Sequence, residues 1–328
     1  MATAADLAAA RSRRVAAITR SLIELIQRLW QDMSPASIEA DLEGEAGAAI
    51  VAAVAAGQLT VARGAQAFVA GAMAEQGGTA VPEAMLVADA FAGIAPDGGP
   101  LETLLYLPAI GVQRRLSAGM APEQAMIGGL ADMARYTATA VADTARSSVQ
   151  VGMAADSQCV AYTRVVTLPA CSRCIVLSGQ QYRYSEGFLR HPNCDCQTVP
   201  LKEPDWGDVP TPQQLVERMT QAERRRVFTV AGAEAIGRGA DVGQVVNARR
   251  GMGVAHVEGR DLRVTSEGTT RRGVYGRRLR RAGGEFTRTP GARYTRASTP
   301  RLMPEEIFRM AEGRAEQLRL LRRYGYIV

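Results

Sequence analysis

The sequence predicts an α+β protein in which helix predominates, and three observations carry that prediction. Over the first 155 residues apolar side chains recur at three- and four-residue spacing, the period of amphipathic helices. At Asp156 the character changes: the run Cys159-Val-Ala-Tyr-Thr-Arg-Val-Val-Thr167 is rich in β-branched and aromatic residues and reads as a strand. Beyond residue 203, short helical patterns give way to a stretch rich in arginine and glycine with no helical period. The expected organisation is an all-helical domain over 1–155, a small Cys/His β-module over 156–203, a helical segment over 204–252, and an Arg/Gly-rich arm with a terminal helix over 253–328.

In the N-terminal region Val15, Ile18, Leu22, Leu25, Ile26 and Leu29 mark one helix face over residues 8–31. Ser34-Pro35 is a cap followed by a proline suited to the first helical position, so a second helix is expected from there to about Ala56. A third should run from Thr60 to about Ala74, and a short one over 82–92. The Pro/Gly-rich turn at 95–100 precedes a helix over 101–118 that contains Pro108, and Pro122 opens a long helix to about Gly152.

In the second half, Ser178-Gly179-Gln180 reads as a turn and Gln181 to Tyr184 as a return strand, with Pro204, Pro210 and Pro212 marking a linker. Helices are expected over 213–219, 221–237 and from Asp241 to about Gly251. Residues 254–286 should form one or two exposed hairpins or an exposed arm, with the basic run Arg277-Arg-Leu-Arg-Arg281. Pro304 opens a final helix to about Tyr324.

The net charge is +6 and unevenly placed. Residues 1–200 carry 14 basic and 18 acidic side chains, against 25 and 15 over 201–328. Lys202 is the one lysine among 39 basic residues. Such asymmetry points the C-terminal part towards a polyanion or an acidic protein surface, with Arg271, Arg272, Arg277, Arg278, Arg280 and Arg281 as the candidate contacts. The N-terminus lacks an apolar core beside a cleavage site, and the apolar run from Ala48 to Ala56 is about half what a membrane span needs. A soluble protein made in a reducing cytoplasm, with no membrane contact, is the expectation.

Four of the five cysteines and one of the two histidines fall within 26 residues, from Cys171-Ser-Arg-Cys174 to His191-Pro-Asn-Cys194-Asp-Cys196. Cys-x-x-Cys lets two thiolates on a tight turn face one ion, and the second cluster adds an imidazole and further thiolates. The ligand set predicted for a tetrahedral zinc site is Cys171, Cys174, His191 and Cys196, with Cys194 as the alternative to Cys196. Disulfide pairing and plain buried thiols are the competing readings. Cys159 reads as a core thiol, and His256 as a surface or partly buried histidine. Four protein ligands would close the coordination sphere, which makes the zinc structural. A hydrolase built on the Cys/His cluster is the alternative, but no HExxH, GxSxG or phosphate-binding glycine loop supports it.

Cys171-x-x-Cys174, Ser178-Gly179 and His191-Pro192-x-Cys194-x-Cys196, preceded by a long helical region, resemble the signature of the MuF-like minor head proteins of tailed bacteriophages. Asp241-Val-Gly-Gln-Val-Val-Asn-Ala-Arg-Arg-Gly251 and the Gly/Arg segment resemble the versions in phages of actinobacteria. The resemblance is specific over about 160–200. It implies a virion component at the portal vertex or capsid interior, present in the host cytoplasm during assembly. Implied partners are the portal protein, the major capsid protein or both, with sequence-independent contact to double-stranded DNA. Implied roles are head assembly, DNA packaging or DNA ejection. Capsid maturation protease is the alternative function.

Overall fold

Helix α1 (Ala4–Trp30) starts where Thr3 and Asp6 form a capping box: the Thr3 hydroxyl accepts from Asp6 N at 3.1 Å, and the Asp6 carboxylate accepts from Thr3 N at 3.0 Å. These hydrogen bonds hold the Asp6 carboxyl below its usual range. The computed structural model describes residues 3–79, 82–187, 194, 196–203, 209–257 and 259–327. The expected α+β class, predominantly helical with small antiparallel sheets, is the class observed. The chain divides into two compact units, one of residues 1–167 with 178–209, the other of 168–177 with 210–328.

In the first unit α1 buries a stripe of Ala4, Ala8, Val15, Leu22, Ile26 and Trp30. The second helix starts later than expected, because Ser34 and Ser37 hydrogen-bond each other in a turn. The chain then forms α2 (Ile38–Glu43), breaks at the extended Gly44, and continues as α3 (Glu45–Arg63) and α4 (Ala65–Glu75). Gly47 follows that break, and a side chain there would overlap the Leu42 carbonyl. The short helix expected over 82–92 is reduced to a 3-10 turn at Ala88–Phe91. Helix α5 (Leu101–Ser117) keeps Pro108 inside, and α6 (Pro122–Ala154) has its proline at the start, where the missing N–H costs nothing.

Helix α6 is the spine of this unit, packed by α1, α3, α4 and α5. Its core joins Trp30, Ile50, Val54, Leu105, Val112 and Met133. The stretch Glu45–Glu75 is long and apolar enough to cross a membrane by length and composition. Within it Ile50, Val54 and Val61 belong to that core.

Strands β1 (Ala161–Val165), β2 (Gln181–Arg183) and β3 (Gln197–Leu201) form an antiparallel sheet with β1 central. Tyr162, Val165 and Val199 share a second core with Ala4, Ala8, Phe68, Val149 and Met153 of the helices. A three-stranded sheet cannot bury its apolar face alone, and the helices cover it. The boundary expected at 155 therefore falls inside one compact unit.

The second unit contains α7 (Ser172–Val176), α8 (Pro212–Glu217), α9 (Gln221–Phe228), α10 (Val230–Gly237) and α11 (Val242–Ala248). The single helix expected over 221–237 is broken at Thr229, whose φ of 68° and ψ of 169° lie in a region used almost only by glycine. Such a conformation costs on the order of 1–3 kcal/mol. It is held by side-chain hydrogen bonds: the Thr229 hydroxyl accepts from Gly232 N and from Arg249 Nη2 at 2.7 Å.

Strands β4 (Met252–Val257) and β5 (Arg260–Thr265) form the expected hairpin, in register from Met252↔Thr265 to Val257↔Arg260. The exposed arm expected up to Phe286 is corrected by α12 (Val274–Arg281), an amphipathic helix that buries Tyr275. Arginine-rich composition hid it, since four of its eight residues are arginine. Short strands β6 (Phe286–Thr287) and β7 (Arg296–Ala297) pair, and β8 (Arg301–Leu302) joins β5. The final helix breaks at the extended Gly313 into α13 (Pro304–Met310) and α14 (Arg314–Arg323).

Arg301 anchors this unit. It is 1% exposed, lies 4.4 Å from the Tyr326 ring centroid, and donates to the carbonyls of Tyr324 at 2.8 Å and Glu267 at 2.9 Å.

Two outcomes follow. A side chain at Gly129 would overlap Val112 and approach Trp30 to 2.8 Å, so Gly129→Ala should cost about 1–3 kcal/mol. A lower urea midpoint with an unchanged m-value is expected, and an unchanged midpoint would refute the close packing of α6 on α1 and α5. The second concerns alkaline pH. Burial raises the Tyr162 and Tyr275 hydroxyls from the ordinary 10.0 to about 12. A raised folded pKa gives stability that is complete below the unfolded value and lost as pH climbs through the folded one. Stability should therefore fall between about pH 10 and 12, and Tyr275→Phe should make that fall shallower in denaturation series across the range.

Candidate metal centre

The site is built on the central strand and the last turns of the longest helix. In β1 the residues Tyr162, Thr163, Arg164 and Val165 are all buried, and all of β3 is buried. Arg164 stands opposite Thr198 in the β1–β3 register and is 1% exposed. Its backbone is fixed on the other side, where Arg164 N donates to the Gln180 carbonyl at 3.0 Å and Gly179 N to the Arg164 carbonyl at 2.9 Å. Gly179 has φ 77°, the left-handed conformation that a glycine accepts without strain.

The Arg164 guanidinium donates to two sulfurs, Cys196 Sγ at 3.3 Å and Cys194 Sγ at 3.5 Å. Both cysteines are 2% exposed. They stand two residues apart in the chain, and both sulfurs reach the same guanidinium. A second arginine holds the same segment by its backbone: Arg146 of α6 donates to the Cys194 carbonyl at 2.6 Å and the Cys196 carbonyl at 3.4 Å. Asp143, one turn earlier, pairs with Arg146 at 2.5 Å, so this buried cation carries its own counter-charge.

Cys174 lies in the first turn of α7 and is buried. The ligand atoms of Cys174, Cys194 and Cys196 all lie within 4.8 Å of one another. Three thiol donors that close could hold a soft or borderline metal ion, and the donor set fits the preferences of zinc. Charge supports the fit. A divalent ion on three thiolates leaves a net negative centre, and a guanidinium that donates to two of the sulfurs balances it.

The predicted ligands thus fall in different places. Cys174 and Cys196 are in the group, and Cys194, the alternative to Cys196, stands beside both of them. Cys171 is exposed and is not in the group. It is the N-cap of α7, with its Sγ accepting from Cys174 N at 3.4 Å. His191 lies outside the described residues. Cys159 is a core thiol as expected: burial pushes it up to about 11, and it donates to the Ala161 carbonyl at 3.3 Å. His256 is also at the surface, its ring 70% exposed and 3.0 Å from the exposed Asp261 carboxylate.

Arg164, Arg146 and Asp143 were not among the predicted site residues. One signal was available for Arg164, a lone charge inside the apolar strand run Val160 to Val166. For Arg146 and Asp143 the sequence held none, because charges on a long helix ordinarily face solvent.

The six candidate arginines do not act as one group. Arg278 is spent on structure, donating to the carbonyls of Arg322 at 2.8 Å and Ile327 at 2.7 Å. Arg271 lies 5.2 Å from the Phe286 ring centroid, a cation–π arrangement. Arg277, Arg280 and Arg281 are exposed on α12, and their spacing sets them on one helix face.

The family model described as VG15 protein matches residues 112–222, about a third of the chain. No curated protein and no solved structure matches. VG15 is a phage-associated family, so the matched segment, which runs from α5 through the whole cysteine cluster to the start of α9, is similar to a phage protein of virion type.

Proposed function

We propose that this chain is a minor structural protein of a tailed-phage head, associated with the portal or the capsid interior, and that its cysteine cluster holds a structural zinc ion. The observation that carries the reading is the extent of the family match. Residues 112–222 contain every cysteine, Arg146 and Arg164, so the part of the chain similar to a phage protein is the part that builds the cluster. Cys174, Cys194 and Cys196 would hold the ion, with His191 as the fourth ligand. A closed set of four protein ligands leaves no position for a reactive water, and the ion would contribute folding energy rather than catalysis. No hydrolytic step is assigned to the cluster. The finer resemblance to MuF-like proteins of actinobacterial phages, and with it a role in head assembly, packaging or ejection, belongs to the same proposal.

The exposed face of Arg277, Arg280 and Arg281, with Arg271 and Arg272 before it, is proposed to contact DNA phosphates. Such contacts are independent of sequence and weaken steeply with salt. Virion partners would be the portal protein, the major capsid protein or both.

Four measurements test this. Metal analysis of the purified chain should return about one zinc per chain, and Cys174→Ser should lose it together with thermal stability. Retained zinc and an unchanged melting temperature would refute the site. Arg164→Leu should weaken zinc binding roughly 10- to 100-fold, the range for a lost neighbour of metal ligands, read by competition with a chromophoric chelator. For the virion role, immunogold labelling of intact particles should mark the head. In gel retardation the chain should shift duplex DNA at low salt and release it at high salt, with Arg277→Gln/Arg280→Gln binding more weakly. No shift at low salt would remove the DNA contact.

A further inference from the structure

The second unit contains an arginine-lined cleft that the metal and DNA readings do not use. Its volume is about 520 Å³, within the size range of small-molecule sites. Its walls are one face of each of two consecutive helices. Gln221, Arg224 and Arg225 follow helical spacing along α9, and Val230, Ala233, Glu234, Gly237 and Arg238 do so along α10. Arg314, the first residue of α14, completes the lining. Four arginines and one glutamate line the same space, a net charge of +3.

The four arginines differ in what already engages them. Arg238 pairs with Glu234 at 2.7 Å and lies 5.5 Å from the Phe308 ring centroid. Arg224 donates to the carbonyls of Val216 at 2.8 Å and Glu217 at 3.1 Å, which fixes its position and leaves its charge unmatched. Arg225 and Arg314 are exposed, and their side chains have no hydrogen-bond or ion-pair partner among the described residues. The other side of the cleft is small: a side chain added at Gly237 would meet nothing within 4 Å.

The strained residue of this unit sits at the joint of the two walls. Thr229 takes a glycine-like conformation that ends α9 and restarts α10 at the next residue. Its hydroxyl is held by Arg249, which in turn pairs with Glu305. An uninterrupted helix over 221–237 would set these faces in line along one axis, with no space enclosed between them. Backbone strain held by surrounding structure clusters at ligand sites.

We infer that this cleft binds a phosphate group, held by Arg225 and Arg314 with Arg224 behind them. Guanidinium forks match the several oxygens of a phosphate, and a single carboxylate ligand would leave most of the +3 charge unbalanced. The phosphate could come from a free phosphorylated small molecule or from a nucleic-acid backbone.

Inorganic pyrophosphate is the probe, titrated calorimetrically into the full-length chain against chloride at matched ionic strength. Binding is expected, and Arg225→Gln/Arg314→Gln should weaken it at least tenfold while leaving the melting temperature in chloride unchanged. Both residues are exposed, so this variant should fold. Arg277→Gln/Arg280→Gln should bind pyrophosphate as the parent does, which separates this site from the proposed DNA face. Absence of binding to the parent chain, equal binding by the Arg225/Arg314 variant, or loss of binding in the Arg277/Arg280 variant would each overturn the proposal. With binding established, a labelled DNA duplex distinguishes the sources. Displacement of the duplex by pyrophosphate identifies the cleft as a backbone-phosphate site, and failure to displace it identifies a free phosphorylated ligand.

Discussion

The burial of Arg164 in the central strand is the constraint to which the first unit is fitted. A guanidinium keeps its charge at neutral pH, and an unaccompanied ion inside a protein costs several kcal/mol. At 1% exposure Arg164 cannot turn to water. The surroundings are arranged to match. The sulfurs of Cys194 and Cys196 lie within its reach, and the segment that carries them is tied by its carbonyls to Arg146, itself neutralised by Asp143. The strand register, the last turns of α6 and the spacing of two cysteines thus all serve to keep one positive charge and a sulfur cluster together.

Buried arginine recurs elsewhere with a different solution. Arg301 is met by carbonyl oxygens and the face of Tyr326, and Arg11 by the carbonyls of Val61 at 3.0 Å and Ala145 at 2.9 Å. Burial lowers Arg11 to about 10 and lowers Arg301 as well. Each guanidinium offers five donors, enough to collect the backbone oxygens left over at helix ends and strand edges. In a chain with one lysine, arginine is therefore partly a structural residue. That dilutes the meaning of the basic C-terminal half. Arg278 and Arg301 count towards its charge yet point at carbonyl groups, while Arg277, Arg280 and Arg281 remain exposed on one helix face.

What the sequence made legible follows from how local each signal is. The long helices, the β1 run and the β4–β5 hairpin carry their own periodicity or turn chemistry, and they stand where the pattern sets them. The breaks within helices were not legible. Thr229 is a β-branched residue in a glycine-like conformation, held there by Arg249 from twenty residues away, so nothing adjacent to it signals the kink. Helix α12 was hidden for the opposite reason: its arginine content suggested an open arm, and the tertiary burial of Tyr275 decides for helix. At the site, clustering in sequence located the cysteines, because Cys-x-x-Cys and the later group are close in the chain. It did not find Arg164, Arg146 or Asp143, which reach the site through strand register and helix packing.

The charge beside the sulfurs also separates the two chemistries that a Cys/His cluster suggests. A cysteine nucleophile needs a base that takes its proton and, usually, a third group that orients the base. Arg164 cannot be that base, since a guanidinium has no free lone pair to accept a proton. What it supplies is fixed positive charge, shared between two sulfurs that lie within 4.8 Å of a third. Fixed charge suits a centre whose own charge is constant, as a metal held by several thiolates is. Burial acts in the same direction, because a substrate would need a path to sulfurs of which Cys194 and Cys196 are 2% exposed. Under the proposed zinc reading the arrangement would act as a cross-link, with its stability drawn from the match between the ion's ligands and the guanidinium behind them.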